Sequence, residues 1–168
     1  VTPVCALSGD SPYLKSFDGK KTYVVDPGTN GIAAIKAAIE KELARQGQIF
    51  FVHDRVRSIY SIARLVQRLV PQARVGVVHG QMKAADIEKA MTGFIRQECD
   101  VLVCTTIIGS GLDIPSANTI IINRAEKFGL AQLYQIRGRV GRSNQEAFAY
   151  LLLPRGAMLS REAMKRLQ

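Results

Sequence analysis

The chain has 168 residues, of which 47% are apolar and 22% charged, with a formal net charge of +9. Such a length and composition fit one domain with a full hydrophobic core and exclude global disorder. The longest run free of Asp, Glu, Lys and Arg is the 12 residues 101–112, short of the roughly 18 a membrane-crossing helix needs.

Residues 1–20 show no clear period. They hold Gly9, Asp10, Ser11, Pro12 and Gly19 and read as a linker or an incomplete preceding segment. Thr22–Val25 (TYVV) is a short strand closed by Asp26-Pro27-Gly28. Ile32, Ile35, Ile39 and Leu43 then recur at helical spacing, with Asn30 as N-cap and Gly47 as the stop. Ile49–Val52 (IFFV) is continuous and apolar, as in a strand buried on both faces. Val56, Ile59, Ile62, Val66 and Leu69 form the next helical stripe, ended by Pro71. Arg74–Val78 is a strand, and Ile87, Met91, Phe94 and Ile95 form a third stripe. Val101–Cys104 and Thr119–Ile122 are further strands. Leu130–Arg137 is a short helix and Ala147–Leu153 the last strand. Ser160 caps a further helix whose start is residues 156–168.

Strands alternating with helices predict an α/β fold with a mostly parallel sheet sandwiched by helices. Ligands of such sheets bind outside the carboxyl ends of the strands. The loops there read HDR (53–55), HGQM (79–82), TTIIGSGLDIP (105–115) and NRAEKFG (123–129). The first residues, VTPVCALSGDSP, lack the basic start and apolar stretch of a secretory leader. Cys5, Cys99 and Cys104 make an odd count with no CxxC, so neither a disulfide framework nor a zinc site is expected, and a reducing compartment fits. Cys99 and Cys104 flank a strand and are expected to do no chemistry.

The basic balance points to a polyanion; a fragment whose parent carries the balancing acid is the alternative. The excess is local. Five arginines (55, 57, 64, 68, 74) follow Asp54 without an intervening acid, and five bases lie between Arg124 and Arg142 against the single acid Glu126. A GxxxxGK[ST] phosphate loop is missing, and no strand ends in a pair of acids to hold magnesium. Gln135-Ile136-Arg137-Gly138-Arg139-Val140-Gly141-Arg142 holds three arginines and two glycines. Arg139 and Arg142, three apart, share a face on a helical turn. Fixed guanidinium forks suit a terminal phosphate; a solvated basic turn or a nucleic-acid backbone site fits the same residues. His53-Asp54 is expected to be structural or to lie at a DNA edge, since neighbours at a strand end point apart.

QIRGRVGR resembles the last motif of superfamily 2 helicases, QxxGRxGR. TTIIGSGLDIP resembles the motif before it, and IFFVHDR and HGQM the two before that. Order and spacing resemble the second RecA-like, helicase C-terminal domain of a double-stranded DNA translocase. VLVCTTII, LDIPSANTIII, AEKFGLAQLYQIRGRVGR and AFAYLLLP are similar to the transcription-repair coupling factor family, whose members displace RNA polymerase stalled at DNA lesions. RecG, the fork-remodelling helicase, shares the FGLAQLxQxRGRVGR stretch and is the runner-up.

The resemblance covers roughly 21–155 and implies a helicase C-terminal domain there. It implies that ATP with Mg2+ is bound mainly by a first RecA-like domain outside this chain, which alone is expected to be inactive. It further implies that Arg139 and Arg142 act as arginine fingers, that Gln135 links nucleotide state to closure, and that Gly111 and Asp113 lie near the nucleotide. DNA contacts fall on Thr105, Thr106, His79, Gly80, Gln81 and Arg55. No metal ligand is expected in this chain. The implied partners are double-stranded DNA, the first motor domain and, through other domains, RNA polymerase; the implied compartment is the cytoplasm. Gly109 and Ser110 stand where the family usually has an acid and Thr; Ser110 keeps the hydroxyl donor, while loss of the acid implies loss of an ion pair or a coupling contact in that loop. A non-catalytic nucleic-acid-binding module is the competing class.

Overall fold

The computed structural model describes residues 14–17, 20–25, 31–105, 114–137 and 144–153. They form strands β1 (Leu14–Phe17), β2 (Lys20–Val25), β3 (Gln48–Val52), β4 (Val75–Val78), β5 (Val101–Cys104), β6 (Ala117–Ile122) and β7 (Ala147–Leu152). The helices are α1 (Gly31–Ala44), α2 (Ile59–Leu69), α3 (Ala84–Ile95) and α4 (Leu130–Arg137). One seven-stranded sheet runs in the order β1-β2-β7-β6-β3-β5-β4. Its pairings are parallel except β1 with β2.

Alternate residues of the central strands serve opposite faces, as the pleat dictates. Ile49, Phe51, Val101, Val103, Ile121, Phe148 and Tyr150 pack under α1 and α2, with Ala34, Ile35, Ala38, Ile39, Ile59 and Val66. Phe50, Val52, Leu102, Cys104, Ile120 and Ile122 pack on the other face, with Met91 and Phe94 of α3 and Leu133 of α4. Two cores on one sheet are why β3, β5, β6 and β7 are buried along their whole length. The expected α/β sandwich is thus the observed one.

Several local expectations change. Residues 14–17, within the stretch read as a linker, form β1 and pair with β2 through Leu14↔Tyr23 to Phe17↔Lys20. Ile32 and Ile95 belong to the apolar stripes by spacing, yet they are 57% and 48% exposed. The inner face of α1 instead uses Ala34 and Ala38 and takes in a charged residue, Glu42. Its Oε2 accepts Thr119 Oγ1 at 2.5 Å and Arg45 Nη2 at 2.5 Å. Helix α1 is stopped by Gln46 rather than Gly47. Gln46 has φ 60°, and its N–H reaches Leu43 O at 2.9 Å while the Gly47 N–H reaches Glu42 O at 3.0 Å. These two bonds satisfy carbonyls that the helix end would leave orphaned. The same arrangement ends α3, with Gln97 at φ 59°. The Asn30 cap lies outside the described residues, as do 156–168.

Gln48 joins three elements. Its amide donates to Phe94 O at 2.6 Å and Cys99 O at 2.7 Å, and its carbonyl oxygen accepts from Ser116 Oγ. This holds the end of α3 and the starts of β3, β5 and β6 together.

Position 47 is glycine for lack of space. A Cβ there falls 1.8 Å from Glu42 Oε1, the buried second oxygen of the carboxylate that accepts from Thr119 through Oε2. Gly47→Ala is expected to destabilise the domain by about 1–3 kcal/mol, the range for overpacking a filled interior. Urea unfolding of the variant against the parent sequence measures it; an unchanged midpoint would show that Glu42 moves aside freely.

Candidate functional site

The loops that carry polar residues leave the same edge of the sheet because their strands run parallel. Ladder bonds continue past the strand ends and set the loops at fixed heights: His53 N to Cys104 O at 2.9 Å, Asn123 N to Val52 O at 2.8 Å, Thr105 N to Val78 O at 3.2 Å.

His53 sits at the centre of this edge and is 3% exposed. Asn123 Nδ2 donates to its Nδ1 at 3.0 Å, and its Nε2 then donates to Ser58 Oγ at 2.6 Å. Both ring nitrogens are used, so His53 is a brace between the loop after β6 and the entry to α2. Burial pushes its pKa below the ordinary 6.5; Asp54 opposes the shift, and Arg124 and Arg55 add to it. Asp54 Oδ2 lies 3.6 Å from Arg55 Nε and 3.9 Å from Arg124 Nε, and Arg124 Nε lies 3.9 Å from Glu126 Oε1. Arg124 holds a left-handed backbone, φ 54°, at the turn that brings it there. The structural reading of His53-Asp54 therefore fits the geometry, although the two side chains do not point apart as expected: His53 Nδ1 lies 3.8 Å from Asp54 Oδ1.

The second group is built on the loop after β4. His79 is 8% exposed. The Gln81 N–H donates to its Nδ1 at 3.2 Å, so Nε2 carries the hydrogen it shares with Tyr60 Oη at 3.2 Å. The Tyr60 ring meets the imidazole edge-on at 5.7 Å. Gly80 and Gln81 are exposed beside them, and the Arg55 side chain is exposed after β3. Thr105 follows β5 as expected, but it is buried and its Oγ1 has no hydrogen-bond partner. Thus Arg55, Gly80 and Gln81 form the accessible part of the edge, while His79 and Thr105 lie beneath it.

Gln135 is exposed near the end of α4. Arg139, Arg142, Gly111, Asp113, Thr106, Gly109 and Ser110 lie outside the described residues. Among the described residues no group of three His, Cys, Asp or Glu could hold a metal ion. Cys104 is buried, and burial raises its thiol pKa; burial also pushes the Cys99 thiol up to about 11. Thiols held protonated in this way are poor nucleophiles. No helix among the described residues is long and apolar enough to cross a membrane. Sequence reasoning missed Ser58, Tyr60 and Asn123. Tyr60, an aromatic on the polar side of the α2 stripe, was the one visible signal.

Comparison with known proteins places these loops in a family context. The helicase conserved C-terminal domain matches residues 31–144. The chain is 55% identical over 134 residues to the transcription-repair-coupling factor of Myxococcus xanthus, covering 80% of this chain and 11% of that protein. It is 48% identical over 148 residues to the transcription-repair-coupling factor of Staphylococcus aureus (strain USA300), covering 88% and 12%. The chain thus spans about an eighth of the length of these curated relatives or less. Among solved structures, RecG bound to a three-way DNA junction is similar with a TM-score of 0.74 and 33% identity, over 91% of this chain and 20% of that one. Domain 2 of the DEAD-box helicase Mss116p shares the fold, with a TM-score of 0.63 and 19% identity over 79% of this chain and 53% of that one.

The lowered pKa of His53 makes a pH prediction. The folded state binds the His53 proton less tightly than the unfolded chain does. Its contribution is therefore intact above 6.5 and is lost as pH falls from there toward the folded value. Urea midpoints should fall between pH 7.5 and 5.5. His53→Gln, which cannot titrate, should flatten that fall; an equally steep fall in the variant would assign it to other groups.

Proposed function

This chain belongs to the helicase conserved C-terminal domain family, and from that premise we propose that it is the second motor domain of an ATP-dependent double-stranded DNA translocase acting in transcription-coupled DNA repair, where it displaces stalled RNA polymerase. One observation carries the choice within the family. Identity to transcription-repair-coupling factors is 48–55%, against 33% to RecG. A fork-remodelling motor of the RecG kind is the second reading, supported by the structural similarity over 91% of this chain. In either case the motor domain spans about residues 21–155, with β1 added to its sheet edge.

In this reading ATP is the substrate and lies between two RecA-like domains, the first of which supplies the phosphate loop and most of the Mg2+ ligands. Mg2+ offsets phosphate charge there. Arg139 and Arg142 follow α4 and extend to the terminal phosphate, where their guanidiniums stabilise the charge that builds on the transferring group. Gln135, exposed near the end of α4, links the state of that phosphate to the closure of the two domains. Gly111 and Asp113 line the same cleft. The chain by itself, without the phosphate loop, has no hydrolytic activity.

DNA lies along the edge formed by Arg55, Gly80 and Gln81, with His79, Thr105 and Thr106 supporting or extending it. Such contacts meet phosphates, so binding is independent of sequence and sensitive to salt. Closing and reopening of the domains moves this grip along the duplex. RNA polymerase is engaged through other parts of the parent protein, in the cytoplasm of the cell.

Arg139→Ala or Arg142→Ala in the full-length protein is expected to lower DNA-stimulated ATP hydrolysis by about 10³–10⁵, the worth of an arginine finger, while ATP affinity changes little. Steady-state hydrolysis and nucleotide titration measure the two effects. Equal hydrolysis in variant and parent would remove these arginines from the ATP site.

A further inference from the structure

The outer face of α2 carries charge that the fold does not offset. No Asp or Glu occurs from residue 55 to residue 85. Arg57, Tyr60, Ser61, Arg64, Gln67 and Arg68 are all exposed, with Ile59 and Val66 buried opposite. At 3.6 residues per turn those from Tyr60 to Arg68 occupy an arc of about 120°; with Arg57, on the 3-10 turn Val56–Ser58 before α2, the stripe is about 17 Å long. Four other described arginines meet carboxylates, while Arg96, alone at the end of α3, meets none among the described residues. Arg45 pairs with Glu42 at 2.5 Å, Arg74 with Asp100 at 2.8 Å, Arg124 with Asp54 and Glu126, and Arg55 with Asp54. Among the described residues no carboxylate pairs with Arg57, Arg64 or Arg68; Arg64 Nη2 reaches only Ser61 Oγ, at 3.3 Å. Arg64 and Arg68 stand one turn apart and repel each other. Arg57 precedes the positive end of the helix dipole, with no acid in the first turn to balance it. An external anion relieves all three.

The stripe is continuous with the edge described above. Tyr60 heads it, half exposed, and is bound to His79 in the loop that presents Gly80 and Gln81. The His79 Nε2 hydrogen goes to Tyr60 Oη, because the Gln81 N–H already occupies Nδ1. The phenol hydrogen is thereby left for an outside acceptor. We infer that the outer face of α2, with Arg57 just ahead of the helix, Tyr60 at its head and Arg64 and Arg68 below, is a second track for the phosphate backbone of duplex DNA. It continues the path from the strand-end loops down the flank of the domain. At 3.4 Å of helix axis per phosphate, a stripe of this length spans about five phosphates of one strand. Guanidinium forks match phosphate oxygens, and nothing in the stripe reads bases. This inference rests on the proposed reading that DNA lies along the strand-end edge.

The test uses the full-length protein and a duplex of arbitrary sequence, with affinity measured by fluorescence anisotropy from 50 to 200 mM salt. For Arg64→Ala/Arg68→Ala, the slope of log affinity against log salt should become shallower by about 1.8, or 0.9 for each phosphate no longer neutralised. Arg64→Lys/Arg68→Lys should keep the parent slope, and both variants should keep the parent urea midpoint, since these side chains are exposed. An unchanged slope in the alanine variant, with parent binding intact, would overturn the track and leave the edge reading standing; an acidic protein partner for α2 would give that result. Absence of salt-dependent duplex binding by the parent protein would overturn both.

Discussion

The double parallel pairing of β3 is the constraint on which the rest depends. Its residues Ile49–Val52 pair with Val101–Cys104 on one side and with Thr119–Ile122 on the other. Buried on both faces, it cannot slip by one residue without exchanging the contents of two cores. The ends of three strands are therefore held level, and polar loops that are far apart in sequence leave the sheet side by side. The proposed phosphate-binding edge would need that levelness, because backbone phosphates are evenly spaced and a loop displaced by a few ångströms misses its partner.

The loops are then braced by polar contacts that themselves sit in low dielectric. His53 is kept neutral by burial and used at both nitrogens, by Asn123 and by Ser58. Arg124 stands between Asp54 and Glu126, and several of these carboxylate oxygens are buried without hydrogen-bond partners. Elsewhere, Asp100 shows the opposite balance. Burial alone would raise its pKa, but the Arg74 guanidinium and backbone N–H overcome this and hold it below the ordinary carboxylate range. Paired charge thus serves structure at the opposite edge of the sheet. On α2, positive charge that no described carboxylate offsets is left facing outward.

Much of this was legible in the chain because burial writes itself as pattern. IFFV and VLVC are apolar throughout since both of their faces are covered, and the α2 stripe repeats at helical spacing since only one side is. The strand-end loops were legible for the same reason, as polar breaks directly after apolar runs. The brace between His53 and Asn123 was not, because the partners lie 70 residues apart and only the β3–β6 pairing brings them together. Tyr60 and His79 meet across 19 residues through α2 packing beside β4. Leu14–Phe17 carries too little alternation to be read as a strand, and β2 supplies what pattern cannot.

The sequence alone determined the α/β class, the order of elements from β2 onward, the positive charge and the identity of the loops. These follow from local composition and periodicity, which need no partner to be expressed. Tertiary structure alone decided which polar residues are accessible. Thr105 and His79 sit under the surface although they stand at strand ends, Ile32 and Ile95 stay outside although they fit the stripes, and Glu42 is buried although it is charged. The physical reason is the same in each case. Exposure and pairing are properties of two surfaces brought together, and a linear chain specifies only one of them at a time.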